Sequence, residues 1–267
     1  MAFKDAGRQR GLYRAAVVRS ERISPHLVRV TVGGDDLKRL PRRGYDHWFR
    51  LFLPREPGPA DFSSLPEQFG MAGYAKFKAS GAAKRFAVRN YTVRRHRPEQ
   101  GEVDIDFVAH GDRGVAGPWA QRAQPGDQLA LIDQGCGFAE RPGTGHYVLA
   151  GDESALAAIL GILRDLPRQA QGVAWIEIPD QADAQPSEEP AGVTVRWLPR
   201  GAAGGTPGAA ALAALRAYTP PDPAAVTAYI AGEQTLAAQG RRHLVAAGVP
   251  KQRIEFTGYW RAGATHS

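Results

Sequence analysis

The sequence predicts an N-terminal six-stranded antiparallel β-barrel, followed by an α/β domain with a parallel sheet. In the first half, short stretches alternate apolar and polar residues between turn signals, and no long helical pattern occurs. After Gly143, apolar strands alternate with segments of helical periodicity, which is typical of a parallel sheet covered by helices. We therefore expect two domains, over residues 10–141 and 145–263.

The six barrel strands are predicted from alternation, because a half-buried strand places every second residue on the core. They are LYRAAVVRSERI, LVRVTVGG, DHWFRLFLP, FAVRNYTVRRH, EVDIDFVAHG and GDQLALIDQG. The third strand ends at Pro54, and the last is introduced by the turn at Pro125–Asp127. Between the third and fourth strands, Arg55–Lys84 is rich in Pro, Gly, Ser and Ala, and we expect a long loop with one helical turn.

The second half reads as strand and helix in alternation. The predicted strands are HYVLAGD, GVAWIEIPD, VTVRWLP, AVTAYIAGE and RIEFTGYW, and the predicted helices are ESALAAILGILRDLP, GAAALAALRAY and QTLAAQGRRHLVAAG. Pro167 ends the first helix, and Gly248 is a suitable C-cap for the last. The acidic, Pro-rich stretch PDQADAQPSEEPAG is expected to be a solvated surface loop.

Composition limits the classes of function. The single cysteine, Cys136, excludes an internal disulfide framework and a Cys-rich metal site. No signal peptide or membrane-spanning apolar run is evident, so we expect a cytoplasmic protein without membrane insertion. The net charge of +7 favours anionic partners, although a solvated Arg-rich surface explains it equally well. No basic stretch is interleaved with aromatics, and nucleic acid is therefore not an expected partner.

The motif RNYT combines three groups suited to a flavin nucleotide. Arg89 and Tyr91 share one face of a strand, where Arg grips phosphate through two hydrogen bonds and Tyr stacks on a fused ring. The Thr92 hydroxyl can bond a ring heteroatom. Alone, the motif is also compatible with an ordinary surface pair.

The stretch HGDRGVAGPWA follows the fifth strand and leads into a short helix with Pro118 in its first turn. Gly-rich turns that lead into helix N-termini bind pyrophosphate through backbone N–H groups. A capped strand–turn–helix junction is the alternative. Trp119 is expected to pack beneath the loop or beside a nucleotide.

Two further motifs follow strands of the α/β half, and ligands of open α/β sheets bind at the carboxyl ends of strands. AGDESAL carries Asp152 and Ser154 as helix caps, but it lacks the G-x-G-x-x-G dinucleotide fingerprint. TGYWRAG places two aromatic residues and an Arg after the last strand, where they form either a cleft wall or a plain domain edge.

In this order, the motifs resemble those of the siderophore-interacting proteins, flavin-dependent ferric-siderophore reductases of the ferredoxin–NADP reductase-like superfamily. The matching stretches are RNYTVRR, DIDFVAHGDRGVAGPWAQRAQPGDQLAL, YVLAGDESALAAILGILRDLP, YIAGEQTLAAQGRRHL and GYWRAG. The likeness runs from about Leu12 to Gly263 and implies an FAD-binding barrel followed by an NAD(P)H-binding-like domain. The chain departs from the family pattern at Val115, Arg113 and Ser154, where Pro, a small residue and Thr are more usual.

The resemblance also assigns residues. It implies FAD-binding roles for Arg89, Tyr91, Thr92, Val108, His110, Gly114, Ala116, Gly117 and Trp119, and roles near the cofactor for Asp152, Ser154, Ala155, Tyr259 and Trp260. For an anionic substrate it implies Arg50, Arg261 and either Arg241 or Arg242.

The implied activity is FAD-dependent reduction of Fe(III) in a ferric siderophore, with release of Fe(II). It needs no acid–base residue and no metal ligands from the protein. The electron donor stays open between NADPH, NADH and reduced ferredoxin. Two alternatives also stay open: a flavin reductase with another acceptor, and a non-catalytic protein that binds flavin or siderophore.

Overall fold

The computed structural model describes residues 11–56, 58–109, 114–201 and 204–264. The chain forms two compact units. One comprises the chain up to Arg43 together with His47–Cys136, and the other comprises Gly44–Asp46 and the chain from Gly137 onward. We call them the N-terminal and C-terminal units. The C-terminal unit is therefore discontinuous in sequence, which the sequence did not indicate.

The N-terminal unit is built on an antiparallel sheet. Its strands in the described residues are β1 (Tyr13–Ser24), β2 (Leu27–Gly33), β3 (Trp48–Pro54), β4 (Phe86–Thr92), β5 (Arg95–Arg97), β6 (Glu102–Val108) and β7 (Gln128–Gly135). They are ordered β4-β3-β7-β1-β2-β6-β5. The predicted antiparallel architecture is confirmed, with β5 as an additional short strand. Within the described residues no ladder joins β4 to β5, so hydrogen bonds do not close the barrel.

The two faces of this sheet bury different side chains. The inner cluster contains Phe49, Leu51, Val103, Ile105 and Phe107, among other residues of the barrel interior. The opposite face of β3, β4 and β7 is covered by the segment that connects β3 to β4. Together they form the insert cluster, which contains Phe52, Phe62, Leu65, Phe69, Phe77, Ala82, Phe86, Ala130 and Ile132.

The connecting segment is more ordered than the predicted loop. It contains α1 (Met71–Ala79) and the single-turn α2 (Ala82–Arg85). Only Phe77 of α1 is buried, so the helix has no apolar periodicity for sequence reasoning to detect. Its stability depends on the aromatic residues beneath it, because a nine-residue helix is marginal without tertiary packing. The third helix of this unit, α3 (Ala116–Arg122), precedes β7.

The C-terminal unit has the predicted parallel sheet. Its strands are β8 (His146–Gly151), β9 (Gln171–Ile178), β10 (Gly192–Pro199), β11 (Val226–Glu233) and β12 (Ile254–Trp260), and its helices are α4 (Leu156–Asp165), α5 (Ala209–Arg216) and α6 (Gln234–Ala246). The strand order is β10-β9-β8-β11-β12. Connections move outward from β8 to β10 and then return to β11, so the topological switch point lies between β8 and β11. In sheets of this type, ligands bind at that point, beyond the carboxyl ends of the strands.

Helix α4 explains how Gly44–Asp46 joins this unit. Leu156–Leu163 are all buried, and a Cβ atom added at Gly161 would collide with the carbonyl oxygen of Tyr45. Because Gly161 has no side chain, the backbone at Tyr45 can approach α4 closely. The Tyr45 N–H donates to Asp165 Oδ2 at 2.6 Å, at the end of the same helix. Within the described residues, no helix combines the length and apolar character needed to cross a bilayer.

Candidate functional site

The RNYT motif lies on β4 beside β3. Arg89 is paired with Leu51 and Tyr91 with Phe49, and both β3 side chains belong to the inner cluster. Tyr91 packs against the same cluster, whereas Thr92, 8% exposed, follows on the opposite side of the strand. The structure therefore brings Arg89 and Tyr91 together and directs the Thr92 side chain away from them.

Aromatic contacts connect this motif to the glycine-rich stretch. The ring centroids of Tyr91 and Phe107 are 4.4 Å apart, and those of Phe107 and Trp119 are 5.6 Å apart. Trp119 is only 6% exposed and packs against Phe107, so it does not offer a free ring face. Burial raises the pKa of Tyr91, which keeps its hydroxyl protonated.

The glycine-rich stretch itself is described only from Gly114 onward, and His110 lies outside the described residues. Ala116, 5% exposed, begins α3. A Cβ atom at Gly117 would lie 3.0 Å from the carbonyl oxygen of Val108, the last residue of β6. Because only glycine makes this approach without strain, α3 begins directly against the end of the strand.

Asp152 organises the carboxyl end of the parallel sheet. Its carboxylate is fully buried and accepts hydrogen bonds from the Ser154 N–H at 2.9 Å, the Glu233 N–H at 2.6 Å and Trp260 Nε1 at 3.2 Å. Ser154 follows β8, and Glu233 and Trp260 are the last residues of β11 and β12, so one side chain joins three strand ends. Burial raises the pKa of Asp152 to about 6, against the opposing effect of the Ser154 hydrogen bonds. Its oxygens are consumed internally, so Asp152 positions its neighbours.

The other predicted residues of this edge are also fixed by the protein. Ala155 is fully buried. The hydroxyls of Tyr259 and Tyr229 are 2.7 Å apart. Among these residues, Trp260 is held by its indole N–H and stays partly exposed, so its ring retains accessible surface.

A second carboxylate network lies at the ends of β9 and β10. Arg200 donates to Glu153 at 2.7 and 2.8 Å and to Glu177 at 2.9 Å, and both carboxylates are buried. Burial opposes the charge of Arg200, but the two carboxylates outweigh it and raise its pKa. Glu177 also accepts the N–H groups of Gly208 and Ala211 at the start of α5. No pattern in the sequence indicates this network.

A pocket of about 430 Å³ opens at the start of α6. Its lining residues are Thr206, Glu233, Gln234, Thr235, Ala238, Gln239, Arg242, Arg261 and Ala262. Arg242 and Arg261 are exposed, and no hydrogen bond or ion pair to either is found among the described residues. The pocket is therefore lined by two arginines that have no ion-pair partner among the described residues, beside one carboxylate, Glu233.

Two details define this pocket further. The Glu233 carboxylate accepts the N–H groups of Ala262 and Thr235, which outweigh burial and lower its pKa, so it is already engaged. Arg241, the predicted alternative to Arg242, does not line the pocket. Its guanidinium lies 4.8 Å from the centroid of the Phe256 ring.

The third predicted substrate residue, Arg50, lies on the insert side of β3. Its guanidinium is 4.9 Å from the Phe69 ring centroid and 5.8 Å from that of Trp48. Its Nη1 donates to Asn90 Oδ1 at 3.3 Å, and Asn90 is part of the RNYT motif. Within the described part of the chain, no three His, Cys, Asp or Glu side chains are grouped to hold a metal ion.

Two family models match consecutive parts of this chain. The "Siderophore-interacting FAD-binding domain" matches residues 16–136, and the "Siderophore-interacting protein" domain matches residues 144–263. The chain belongs to the siderophore-interacting protein family. The resemblance inferred from the motifs is thereby confirmed, as is FAD as the cofactor of the N-terminal unit.

Individual relatives agree with this family. The chain is 31% identical to the ferric vibriobactin reductase ViuB of Vibrio cholerae over 92% of its length and 88% of that protein. It is 29% identical to the NADPH-dependent ferric-chelate reductase of Escherichia coli over 68% of its length and 69% of that protein. A siderophore utilization protein from T. fusca has a TM-score of 0.77 at 30% identity, covering 97% of each chain.

An uncharacterized protein of Mycobacterium tuberculosis is 36% identical over 72% of this chain, and the match spans 66% of that relative's length. The family members thus include proteins longer than the region they share with this chain.

The described residues fit FAD. Arg89 and Tyr91 face the same way, and the approach permitted by Gly117 leaves the start of α3 beside the strand that ends at Val108. The residues that sequence reasoning missed are Trp48 and Phe69, which hold Arg50. The Phe-rich composition of the insert was the only available signal.

Proposed function

We propose that this protein is an FAD-dependent reductase that reduces Fe(III) in ferric siderophores and so releases Fe(II). The observation that carries the proposal is the pocket of Arg242 and Arg261, two guanidinium groups that converge on one cavity without a carboxylate partner among the described residues. Such a cavity attracts an anionic ligand, because opposite charges about 4 Å apart gain ~1 kcal/mol in water and more in a partly dry site.

We propose that Arg89 holds a phosphate group of FAD and that Tyr91 flanks its ring system. When bound, FAD supplies the one-electron transfers that ferric iron requires. The N–H groups at the start of α3 would receive the pyrophosphate. Asp152 holds the Trp260 indole at the carboxyl end of the parallel sheet, where it would contribute an aromatic wall.

The substrate brings its own metal ligands. Fe(II) binds hard oxygen chelators less tightly than Fe(III), so reduction loosens the metal without any protein ligand to iron. The protein's part is to hold an anionic chelate, for which we propose Arg242 and Arg261 of the C-terminal unit. Contacts of this strength attract the chelate and still permit the iron-free product to leave.

For the electron donor, we propose NADPH or NADH. The name of the Escherichia coli relative supports a nicotinamide donor in this family. Reduced ferredoxin is the alternative. Rapid-mixing reduction of the bound flavin by each of the three donors distinguishes them, since the true donor must reduce the flavin faster than the protein turns over.

The function is tested on purified protein by absorbance and turnover. We expect flavin absorption bands, or their appearance when FAD is added, and donor-dependent formation of Fe(II) from a ferric siderophore, measured with a ferrous-specific chromogenic chelator. Protein that neither contains nor takes up FAD contradicts the proposal. Tight siderophore binding without Fe(II) formation identifies a carrier, and faster turnover with flavodoxin, ferredoxin or quinones identifies another acceptor.

A further inference from the structure

We propose that the C-terminal unit contains an oxidation relay, a series of aromatic side chains that carries a one-electron oxidising equivalent away from the carboxyl end of the parallel sheet. The relay consists of Trp260, Tyr259, Tyr229, Phe138 and Tyr45. Its oxidisable members are hydrogen-bonded to carboxylates that can take their protons. The inference goes beyond the proposed function, and its test does not depend on that function.

The relay begins at Trp260. This side chain is half-buried, and its indole N–H donates to Asp152 Oδ2 at 3.2 Å. The hydroxyl of the preceding residue, Tyr259, lies 2.7 Å from that of Tyr229 on the neighbouring strand β11. Among side chains without sulfur, tryptophan and tyrosine lose an electron most readily, and they become strongly acidic when they do. A carboxylate within hydrogen-bond distance therefore assists their oxidation.

Tyr229 is the buried centre of the relay. It is 2% exposed, and its hydroxyl also hydrogen-bonds to the carboxylate of Asp46, which is 3% exposed. A phenol has one proton, so donation to Asp46 makes Tyr259 the donor in the bond between the two tyrosines. Burial raises the pKa of Asp46, so this carboxylate accepts a proton more readily than an exposed one. The proton released by oxidised Tyr229 thus has an acceptor inside the protein.

The relay ends at Tyr45. The Phe138 ring contacts both tyrosines, with its centroid 6.2 Å from that of Tyr229 and 5.3 Å from that of Tyr45. The Tyr45 hydroxyl donates to Glu140 Oε1 at 2.7 Å, so this phenol also has a carboxylate acceptor. Because Tyr45 is half-buried, a reductant in solution can reach it. The relay therefore has a partly exposed residue at each end and a buried tyrosine at its centre.

The first transfer begins with a hydroxyl radical, which forms when Fe(II), the product of the proposed reaction, reduces hydrogen peroxide. The radical takes one electron from the Trp260 indole and becomes hydroxide, and the indole proton passes to Asp152. Trp260 then recovers an electron from Tyr229 and its own proton from Asp152. At the same time, the Tyr229 proton passes to Asp46.

The second transfer moves the oxidised site outward. Tyr229 recovers an electron from Tyr45 and its proton from Asp46, while the Tyr45 proton passes to Glu140. A thiol in solution gives a hydrogen atom to the Tyr45 radical, and Glu140 releases its proton to the hydroxide. The net reaction converts a hydroxyl radical and a thiol into water and a thiyl radical. The aromatic side chains are left unchanged, so the relay protects them from the product of the proposed reaction.

The experiment oxidises tryptophan directly in the full chain as purified. Pulse radiolysis of an azide solution produces the azide radical, a one-electron oxidant of accessible indoles. Tryptophan and tyrosyl radicals have separate visible absorption bands, so the decay of one and the growth of the other measure transfer between them. Trp260→Phe is compared with Trp197→Phe, which removes another half-buried tryptophan of the same unit.

Tyr229→Phe is compared with Tyr147→Phe. Tyr147 is 5% exposed, and its ring centroid lies 6.4 Å from that of Phe138, but its hydroxyl hydrogen-bonds to Thr144. The two variants each lose one buried phenol hydroxyl beside the same ring and differ in whether that hydroxyl has a carboxylate partner. Asp46→Asn tests the acceptor, and Tyr229→Phe decides the outcome if the Asn variant does not fold.

We expect a first-order conversion of tryptophan to tyrosyl radical that is independent of protein concentration and slower in D2O. Trp260→Phe and Tyr229→Phe should abolish it, whereas Trp197→Phe and Tyr147→Phe should retain it. Asp46→Asn should slow it about a hundredfold, the contribution of a positioned proton acceptor.

The relay is overturned if Tyr229→Phe converts at the rate of the unchanged protein, or if Tyr147→Phe loses the conversion equally. A conversion rate in Asp46→Asn equal to that of the unchanged protein overturns the role of the carboxylate. Because the azide radical replaces Fe(II) and peroxide, a protein without reductase activity still gives these results, and the two proposals fail separately.

Discussion

Asp133 in the N-terminal unit and Asp152 in the C-terminal unit are buried to the same degree, 1% and 0% exposed, yet their pKa values move in opposite directions. Burial alone would raise the pKa of Asp133, but hydrogen bonds from His47 at 2.9 Å and Arg43 at 2.6 Å outweigh it and lower the pKa. Asp152 accepts hydrogen bonds without a cation, so burial dominates.

The contrast recurs at other carboxylates, although the C-terminal unit also pairs Arg200 with Glu153 and Glu177. In the N-terminal unit, Arg29 forms a bidentate pair with Asp106 and Arg97 with Asp104. In the C-terminal unit, the carboxylate of Glu233 is held by backbone N–H groups. Because backbone N–H groups hold Glu233, this carboxylate is not an ion-pair partner of Arg242 or Arg261, which line the same pocket.

The largest effect is expected from Arg43→Met, which leaves Asp133 buried beside His47 without its arginine. Removing one partner of a buried pair costs about 4 kcal/mol, because the remaining charge has no adequate compensation. The urea concentration at the unfolding midpoint of the N-terminal unit should decrease accordingly.

Arg39→Met is the matched control. Arg39 pairs with Asp36 at the surface, where its side chain is 69% exposed, and an exposed pair contributes under about 1 kcal/mol. Similar losses of unfolding free energy in the two variants would contradict the view that the burial of Asp133 increases the contribution of Arg43 to stability.

Asp152→Asn tests the other side of the comparison. The folded-state pKa of about 6 lies above the unfolded value of 3.8, so the folded protein binds the extra proton. The stability from that proton is complete below pH 4 and is lost as the pH rises through 6, in total about 3 kcal/mol. Asn cannot titrate, so the difference in free energy of unfolding between wild type and variant should become smaller as the pH rises over this range.

Hydrogen exchange of the β8 and β11 amides at several pH values measures this gap within the C-terminal unit. Asp222→Asn, which replaces an exposed carboxylate that also accepts a backbone N–H, is the control and should follow the wild type. A gap between wild type and Asp152→Asn that stays constant from pH 4 to pH 7 would contradict the assigned protonation.

The smallest effect is expected from Arg242→Gln and Arg261→Gln. Stability should be unchanged, because neither side chain has a hydrogen bond or ion pair among the described residues. Each should raise the KM for an anionic ferric siderophore about fivefold, the value of one solvent-exposed charge contact.

Lys251→Gln removes an equal charge from the same unit at an exposed position outside the pocket. A similar rise in KM in this control would attribute the effect to net charge, and the pocket would then have no specific role.

Sequence patterns predicted a strand or a helix wherever the buried residues recur with the period of that element. Strand β1 was expected from Leu12 and begins at Tyr13, and the helix expected to stop at Pro167 ends at Asp165. The single strand predicted over residues 86–96 is divided in the structure into β4 and the wholly basic strand β5. Arg97, its last residue, pairs with Glu102 and Asp104 of β6, so charge replaces apolar alternation there.

The candidate site was predictable in part for the same reason. Asp152 follows β8 and Trp260 ends β12 of the same parallel sheet, so their placement at a common edge could be expected, although they are 108 residues apart. That the carboxylate accepts the indole N–H depends on side-chain packing, which no local pattern encodes. The choice of Arg242 over Arg241 likewise depends on which face of α6 meets Phe256.

Gly44–Asp46 has a consequence for how the C-terminal unit is made. Asp46 accepts the N–H groups of Gly137 and Phe138, and the Tyr45 hydroxyl donates to Glu140 at 2.7 Å. A fragment that starts at Gly137 lacks both side chains. On the ribosome, Gly44–Asp46 are synthesised about ninety residues before Gly137 and can form these contacts only after the rest of the unit has been made. Folding of the C-terminal unit therefore includes a long-range closure step that a contiguous domain would avoid.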